Sequence, residues 1–142
     1  MASFYHGSPR LPLPRKPSRQ LVPVELLTGT KVIASERWEC TRFVAWLDRQ
    51  AQSKRVILYS HIANEARLSS TRRTNWKLGT RAGVPDYVIV LPGGQCVWVE
   101  MKRADKGTVS KEQREWVAAL APHASVCYGS DAAIRFVSGY FE

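Results

Sequence analysis

A chain of 142 residues has the length of one domain, and on folding it buries roughly two thirds of the surface its extended form exposes, so a conventional hydrophobic core is within reach. Lysines and arginines number 21 against 12 acids, and the resulting net charge of +9 is the footprint of a protein that meets a polyanion, nucleic acid first. Three widely spaced cysteines without a C-x-x-C pair suggest neither a disulfide framework nor a zinc site, and no apolar run or leader-like segment points to a membrane. A reducing cytoplasm is the expected setting.

Residues 1–30 read as a proline-rich basic arm, ahead of a domain over 31–142. The arm carries Pro9, Pro12, Pro14, Pro17 and Pro23, with Arg10, Arg15, Lys16 and Arg19 against the single acid Glu25. Proline fixes φ and removes backbone donors, so the arm is extended, with one short strand expected over Val22–Leu27. From Ser35 the pattern turns helical. Cys40, Phe43, Val44 and Leu47 recur at spacings of three and four, which predicts a helix over Glu36–Gln50 capped by Ser35. One turn further back, the stripe lands on Glu36, which makes Glu36 the inward acid and leaves Glu39 on the flank with Trp46. An acid in a first turn also simply complements the helix dipole.

Arg55–Tyr59 reads as a strand, and the polar, basic stretch from Ser60 through Arg73 as a loop, with a helical turn within Thr74–Thr80. Seven basic residues fall between Lys54 and Arg81 against the single acid Glu65. Arg67, Arg72, Arg73, Lys77 and Arg81 are the phosphate contacts expected if the ligand is nucleic acid. His61, alone after a strand, reads more readily as a structural histidine than as a catalytic one.

Gly83 to Lys102 is the organising stretch. Tyr87–Leu91 and Cys96–Met101 are rich in β-branched and aromatic residues, and Pro92-Gly93-Gly94 between them is turn chemistry, so the pair predicts a hairpin. Alternation puts Trp98, Glu100 and Lys102 on one face of the second strand and Val97, Val99 and Met101 on the other. With Pro92 opposite Cys96, Asp86 falls opposite Lys102 with Glu100 beside it, and three charges gather. With Leu91 opposite Cys96, Asp86 falls opposite Met101 and the cluster breaks. The first register is the one expected here. Beyond it, Arg103-Ala104-Asp105-Lys106-Gly107 forms a mobile basic turn, with Arg103 and Lys106 as further nucleic-acid contacts. Ser110-x-x-Gln113 is a capping box that opens a helix, with Trp116, Val117 and Leu120 as its apolar stripe and Pro122 as its stop. A strand over Ser125–Tyr128 and a short helix over Ala132–Val137 complete the chain.

Two carboxylates converging with a lysine in basic surroundings suit metal-assisted attack on a phosphodiester. Hard oxygen ligands hold Mg²⁺ or Mn²⁺ while leaving positions for water and phosphate, and a lysine orients the water and offsets developing charge. A surface ion pair between Glu100 and Lys102 needs no third charge, and Asp86 supplies one.

The ordered set Gly83-Val84-Pro85-Asp86, thirteen residues, Glu100-Met101-Lys102, and Gln113 eleven residues later resembles the PD-(D/E)xK nuclease superfamily. Within it, the helix-borne Glu36, His61-x-x-Asn64-Glu65, Arg81-Ala82-Gly83-Val84-Pro85-Asp86 and Ser110-x-x-Gln113 resemble the virus-type replication-repair nuclease (VRR-NUC) family, over roughly Ser35–Val137. The resemblance implies an α/β restriction-endonuclease-like core, αβββαβ, with a central mixed sheet flanked by helices. It implies Asp86 and Glu100 as ligands of Mg²⁺ or Mn²⁺, Met101 as donor of a backbone carbonyl, Glu36 as a ligand through water, Lys102 as the catalytic lysine and Gln113 as an auxiliary glutamine. Compact stand-alone members resemble Holliday-junction resolvases that act as homodimers, so branched DNA is the implied substrate and a second copy the implied partner. A nucleoid-associated protein, in the host-cell cytoplasm if viral, follows. A less selective flap or single-strand nuclease, and a binding module without catalysis, are the alternatives.

Overall fold

Ser35 opens the first helix of the domain, and its Oγ accepts the amide of Trp38 at 3.2 Å. The structure, a computed structural model, describes residues 34–63 and 69–141. The proline-rich arm and the strand expected over Val22–Leu27 lie outside the described residues. The elements in chain order are α1 (Glu36–Gln52), β1 (Leu58–His61), α2 (Ser69–Lys77), β2 (Tyr87–Val90), β3 (Cys96–Lys102), α3 (Lys111–Leu120), β4 (Ala124–Tyr128) and α4 (Ser130–Ser138). The expected αβββαβ succession is present, with α2 inserted between the first two strands and α4 added after the last.

The four strands form one mixed sheet in the order β1-β2-β3-β4. The first three are antiparallel neighbours, and β4 runs parallel to β3, as a connection through α3 requires. Alternation divides its faces. Tyr87, Ile89, Val97, Val99, Met101 and Cys127 pack against Phe43 and Leu47 of α1 and Ala133 and Val137 of α4. Each large apolar side chain fully buried there contributes roughly 1.5–3 kcal/mol. On the opposite face α3 lies over β3 and β4.

Three expectations are corrected. Strand β1 starts at Leu58 rather than Arg55, because the amides of Arg55 and Val56 still bond to Gln50 O at the end of α1, and pairing begins where Ile57 N donates to Val90 O at 2.8 Å. The stretch read as a loop through Arg73 becomes helical from Ser69. The hairpin takes neither weighed register: Val90 stands opposite Cys96 and Tyr87 opposite Val99. The reason lies in the turn. Gly94 N donates to Leu91 O at 3.0 Å, which closes Leu91-Pro92-Gly93-Gly94 with proline in the second position and Gly93, at φ 85°, in the third. That is the type II arrangement, in which proline presets one dihedral and glycine alone accepts the next. Pro92 therefore sits inside the loop and not at its closing pair. Relative to the expected register the pairing shifts by two residues, so parity is unchanged and the face assignment stands.

Candidate active site

The β2–β3 ladder ends at Tyr87 opposite Val99, and one further step sets Asp86 level with Glu100. Asp86 there takes over a backbone function: its Oδ2 accepts the amide of Met101 at 2.8 Å. Opposed residues of an antiparallel pair share a face, so Asp86, Glu100 and Lys102 stand together, as expected, although Asp86 lies opposite Glu100 and not opposite Lys102.

Glu100 is the buried centre, 1 % exposed. Its Oε1 accepts from Lys102 Nζ at 2.8 Å and from Gln113 Nε2. Its Oε2 is buried and has no hydrogen-bond partner among the described residues. Loss of water raises its pKa; the Lys102 hydrogen bond and charge act against that rise, and the carboxylates of Asp86 and Glu36 reinforce it. Lys102 is nearly covered as well, because Gly107 lies against its stem: a Cβ at Gly107 would stand 2.9 Å from Lys102 Cβ.

Two segments set this geometry. Gly83, at φ 86°, brings its α-carbon onto the first turn of α3, where a Cβ would stand 2.5 Å from the Glu112 carbonyl carbon. Trp116 of α3 donates its indole N–H to Ala82 O at 3.0 Å in the same contact. The segment leading into Asp86 and the helix carrying Gln113 are thus fastened together. The capping box expected at Ser110 is present: Ser110 Oγ accepts the Gln113 amide at 3.1 Å and Gln113 Oε1 accepts the Ser110 amide at 2.8 Å. With its oxygen engaged in the cap, the Gln113 carboxamide has its nitrogen left to reach Glu100.

A match to the VRR-NUC domain family model spans residues 30–133. The chain belongs to the VRR-NUC family. A solved structure described as a "VRR_NUC domain protein" superposes with a TM-score of 0.58 at 20% identity, covering 77% of this chain and 89% of that one, and so shares its fold. No curated protein matches the sequence. A VRR-NUC domain makes this a nuclease-family protein, and its α/β fold with a four-stranded mixed sheet flanked by helices is the one the resemblance implied.

Within the VRR-NUC domain, one position is corrected. Glu36 is exposed and Glu39 is the buried acid, 6% exposed, because the inward stripe of α1 runs Glu39, Phe43, Leu47. Glu39 does not enter the Asp86–Glu100 cluster. Its Oε2 accepts the Ser130 amide at 2.8 Å and the Ser130 hydroxyl at 2.6 Å, so it caps α4, whose N-cap residue Gly129 has no side chain to offer. Glu36 stands close enough to Glu100 for its charge to raise the Glu100 pKa. Sequence reading missed the Glu39–Ser130 anchor; the available signal was the four-residue step from Phe43 back to Glu39.

Of the expected nucleic-acid contacts, Arg72, Arg73, Lys77, Arg81 and Lys106 are exposed, while Arg67 lies outside the described residues, as does Asn64-Glu65. Arg103 is half-buried and its guanidinium makes two hydrogen bonds to Asp105, at 3.1 and 3.2 Å, which offsets its charge. Cys40, Cys96 and Cys127 are free thiols. No helix among the described residues is long and apolar enough to cross a membrane.

The residues fit a hard divalent cation as far as their chemistry goes. Among the described residues no three His, Cys, Asp or Glu side chains converge as a ready-made site. A buried carboxylate oxygen without a partner, beside a second carboxylate, is nonetheless the oxygen-donor pair such an ion prefers.

Proposed function

We propose that this VRR-NUC protein is a Mg²⁺- or Mn²⁺-dependent endonuclease that hydrolyses phosphodiester bonds in branched DNA, with four-way junctions as its leading substrate. The observation that carries the reading is Glu100: a buried carboxylate held at one oxygen by Lys102 and Gln113, beside Asp86, with its other oxygen unpartnered among the described residues. A salt bridge made for stability alone has no use for that orphaned oxygen, which costs about 1–3 kcal/mol to leave unsatisfied.

In this reading Asp86 and Glu100 would hold the cation, with the Met101 carbonyl as a further oxygen donor and Glu36 acting through water. The Met101 carbonyl is suitably placed, because N–H and C=O of one residue in an antiparallel ladder face the same side, and the Met101 amide faces Asp86. A cation bound there would polarise the phosphoryl group and ease deprotonation of the attacking water. Lys102 orients that water for attack on phosphorus and offsets the negative charge that builds as the P–O bond to the leaving strand breaks. Gln113 keeps Glu100 in place. Exposed Arg72, Arg73, Lys77, Arg81 and Lys106 hold phosphates on either side without reading sequence. Residues 1–30 carry Arg10, Arg15, Lys16 and Arg19 against one acid, a composition suited to a polyanion. A homodimer would present two such sites to opposed strands; apolar residues exposed at the sheet edge, Ile57 and Leu58, support a contact between copies.

Incubation with labelled four-way-junction, flap, single-stranded and duplex DNA, with Mg²⁺, Mn²⁺ or EDTA, tests this. Junction cutting that needs the metal and falls roughly 10²–10³-fold in Lys102→Ala and Asp86→Asn is expected. Cutting in EDTA, or unchanged cutting by both variants, refutes the mechanism.

A further inference from the structure

Trp76 is 62 % exposed, on a helix that packs closely against no other helix or strand among the described residues. Its ring has a cationic neighbour. Arg81 sets its guanidinium 4.9 Å from the ring centroid, and Arg81 Nη1 is itself fixed by the carbonyls of Trp76 at 2.8 Å and Thr80 at 3.1 Å. The guanidinium takes up one face of the indole, and the residue keeps 62 % of its surface exposed. Around it, Arg72, Arg73, Lys77 and Arg81 carry positive charge, and no acid occurs between Ala66 and Pro85. A nine-residue helix is marginal in water unless a face of it is packed, and among the described residues α2 packs closely against no other element, so it is suited to a partner outside the domain. An apolar protein surface would have to accommodate that run of cations, whereas a nucleic-acid strand supplies phosphates for them and a base for the ring. The segment continues directly through Ala82 and Gly83, clamped on α3, to Asp86, which ties α2 to the rim of the candidate site.

We propose that Trp76 is a base-stacking residue: an unpaired nucleobase lies on the open face of its indole, with Arg81 closing the opposite face, so that α2 selects DNA carrying unpaired bases next to the cut. This deepens the nuclease reading and rests on it. Stacking on an aromatic ring is indifferent to base identity but needs a base out of its duplex, as at a flap, a fork or an opened junction centre.

The test measures binding by the full chain in EDTA, where no cleavage is expected, to a fluorescent single strand and to a blunt duplex of equal length. Wild type, Trp76→Ala, Trp76→Phe and Lys77→Ala are compared across a salt series. Trp76→Ala should weaken single-strand binding by roughly 10-fold or more while duplex affinity changes by less than about 2-fold, and Trp76→Phe should retain most of the wild-type affinity. The salt slope should stay unchanged in Trp76→Ala and fall by about one in Lys77→Ala. Because α2 is not packed into the core, the melting temperature of Trp76→Ala should match wild type, which separates lost stacking from lost folding. Equal loss on both ligands, no loss on either, or absence of DNA binding by wild type overturns the proposal. Metal-dependent cleavage by wild type alongside any of the first two results leaves the nuclease reading standing alone. A Trp76-dependent single-strand preference without cleavage under Mg²⁺ or Mn²⁺ does the reverse.

Discussion

The side-chain amide of Gln113 joins Glu100 to the first turn of α3, giving its nitrogen to the carboxylate and its oxygen to the Ser110 amide. Cap and site therefore depend on one rotamer, and substitutions can part them. Glutamate in place of Gln113 still closes a capping box, but it removes the donor and sets a second carboxylate against Glu100. Gln113→Glu should keep a melting temperature near wild type while cleavage falls roughly 10–100-fold, the usual cost of losing a group that orients a metal ligand. Gln113→Ala should lose both activity and about 0.5–2 kcal/mol of cap stability in urea titrations. Equal stability losses in the two variants would count against the division.

Gly83 makes the companion contact, and its restriction is twofold. At φ 86° a side chain is strained, and a Cβ there would lie within 2.5–2.7 Å of Glu112 and Gln113 atoms. Gly93 shares the positive φ, at 85°, but faces open space. Alanine at Gly93 should therefore cost only the backbone term, about 1–2 kcal/mol. At Gly83 the overpacking of roughly 1–3 kcal/mol adds to it, and the displaced α3 takes Gln113 from Glu100. Gly83→Ala should lose activity well beyond its stability loss, whereas Gly93→Ala should remain active at temperatures where it is folded. Parallel urea melts and cleavage assays distinguish the two.

The two acids of α1 divide by role. Glu39 is buried and holds the Ser130 amide and hydroxyl, so Glu39→Ala leaves two donors unpaired at a cost of about 1–3 kcal/mol. Glu39→Gln keeps an acceptor and should recover part of that. Glu36 is exposed, and Glu36→Gln should leave stability within about 0.5 kcal/mol. If Glu36 supports the metal through water, cleavage by Glu36→Gln should drop roughly 10-fold, with the loss lessened at high Mn²⁺. Unchanged cleavage would remove Glu36 from the acidic set.

The same pair shows which features are legible in a sequence. Local chemistry was: Ser35 and Ser110 as caps, the alternation that puts Val97, Val99 and Met101 in the core, and the common face of Glu100 and Lys102 all follow from residue type and period, whereas Asp86 joins that face only through the register. Features set by a distant partner were not. The stripe through Cys40, Phe43, Val44 and Leu47 fits a helix whose buried edge runs through either acid, and the choice fell to α4, which brings Ser130 over Glu39 from 91 positions away. The hairpin register depended on whether proline closes the loop or lies inside it, and the type II turn decided that. Strand β1 began late because Gln50 keeps the amides of Arg55 and Val56, a competition no hydrophobic pattern reports.

Tyr59 gives a pH-dependent prediction away from the site. Its hydroxyl donates to Asp48 on α1, and burial, together with that acceptor and its charge, lifts the phenol from 10.0 to about 12. The folded state thus holds this proton more tightly than the unfolded chain does. Its stabilising contribution is complete below pH 10 and is lost as pH rises from 10 toward about 12, where the unfolded chain ionises first. Tyr59→Phe cannot ionise. At neutral pH it should be less stable than wild type by about 0.5–1.5 kcal/mol for the lost hydrogen bond. Across the alkaline window the gap should close, because wild type loses its proton-linked stability and the variant has none at this position to lose. Tyr87, whose phenol is also raised by burial, is present in both proteins and cancels in the comparison. Urea midpoints of the two proteins at matched pH values provide the measurement, and a gap that stays constant through that window would show that Tyr59 titrates no differently in the folded and unfolded chains.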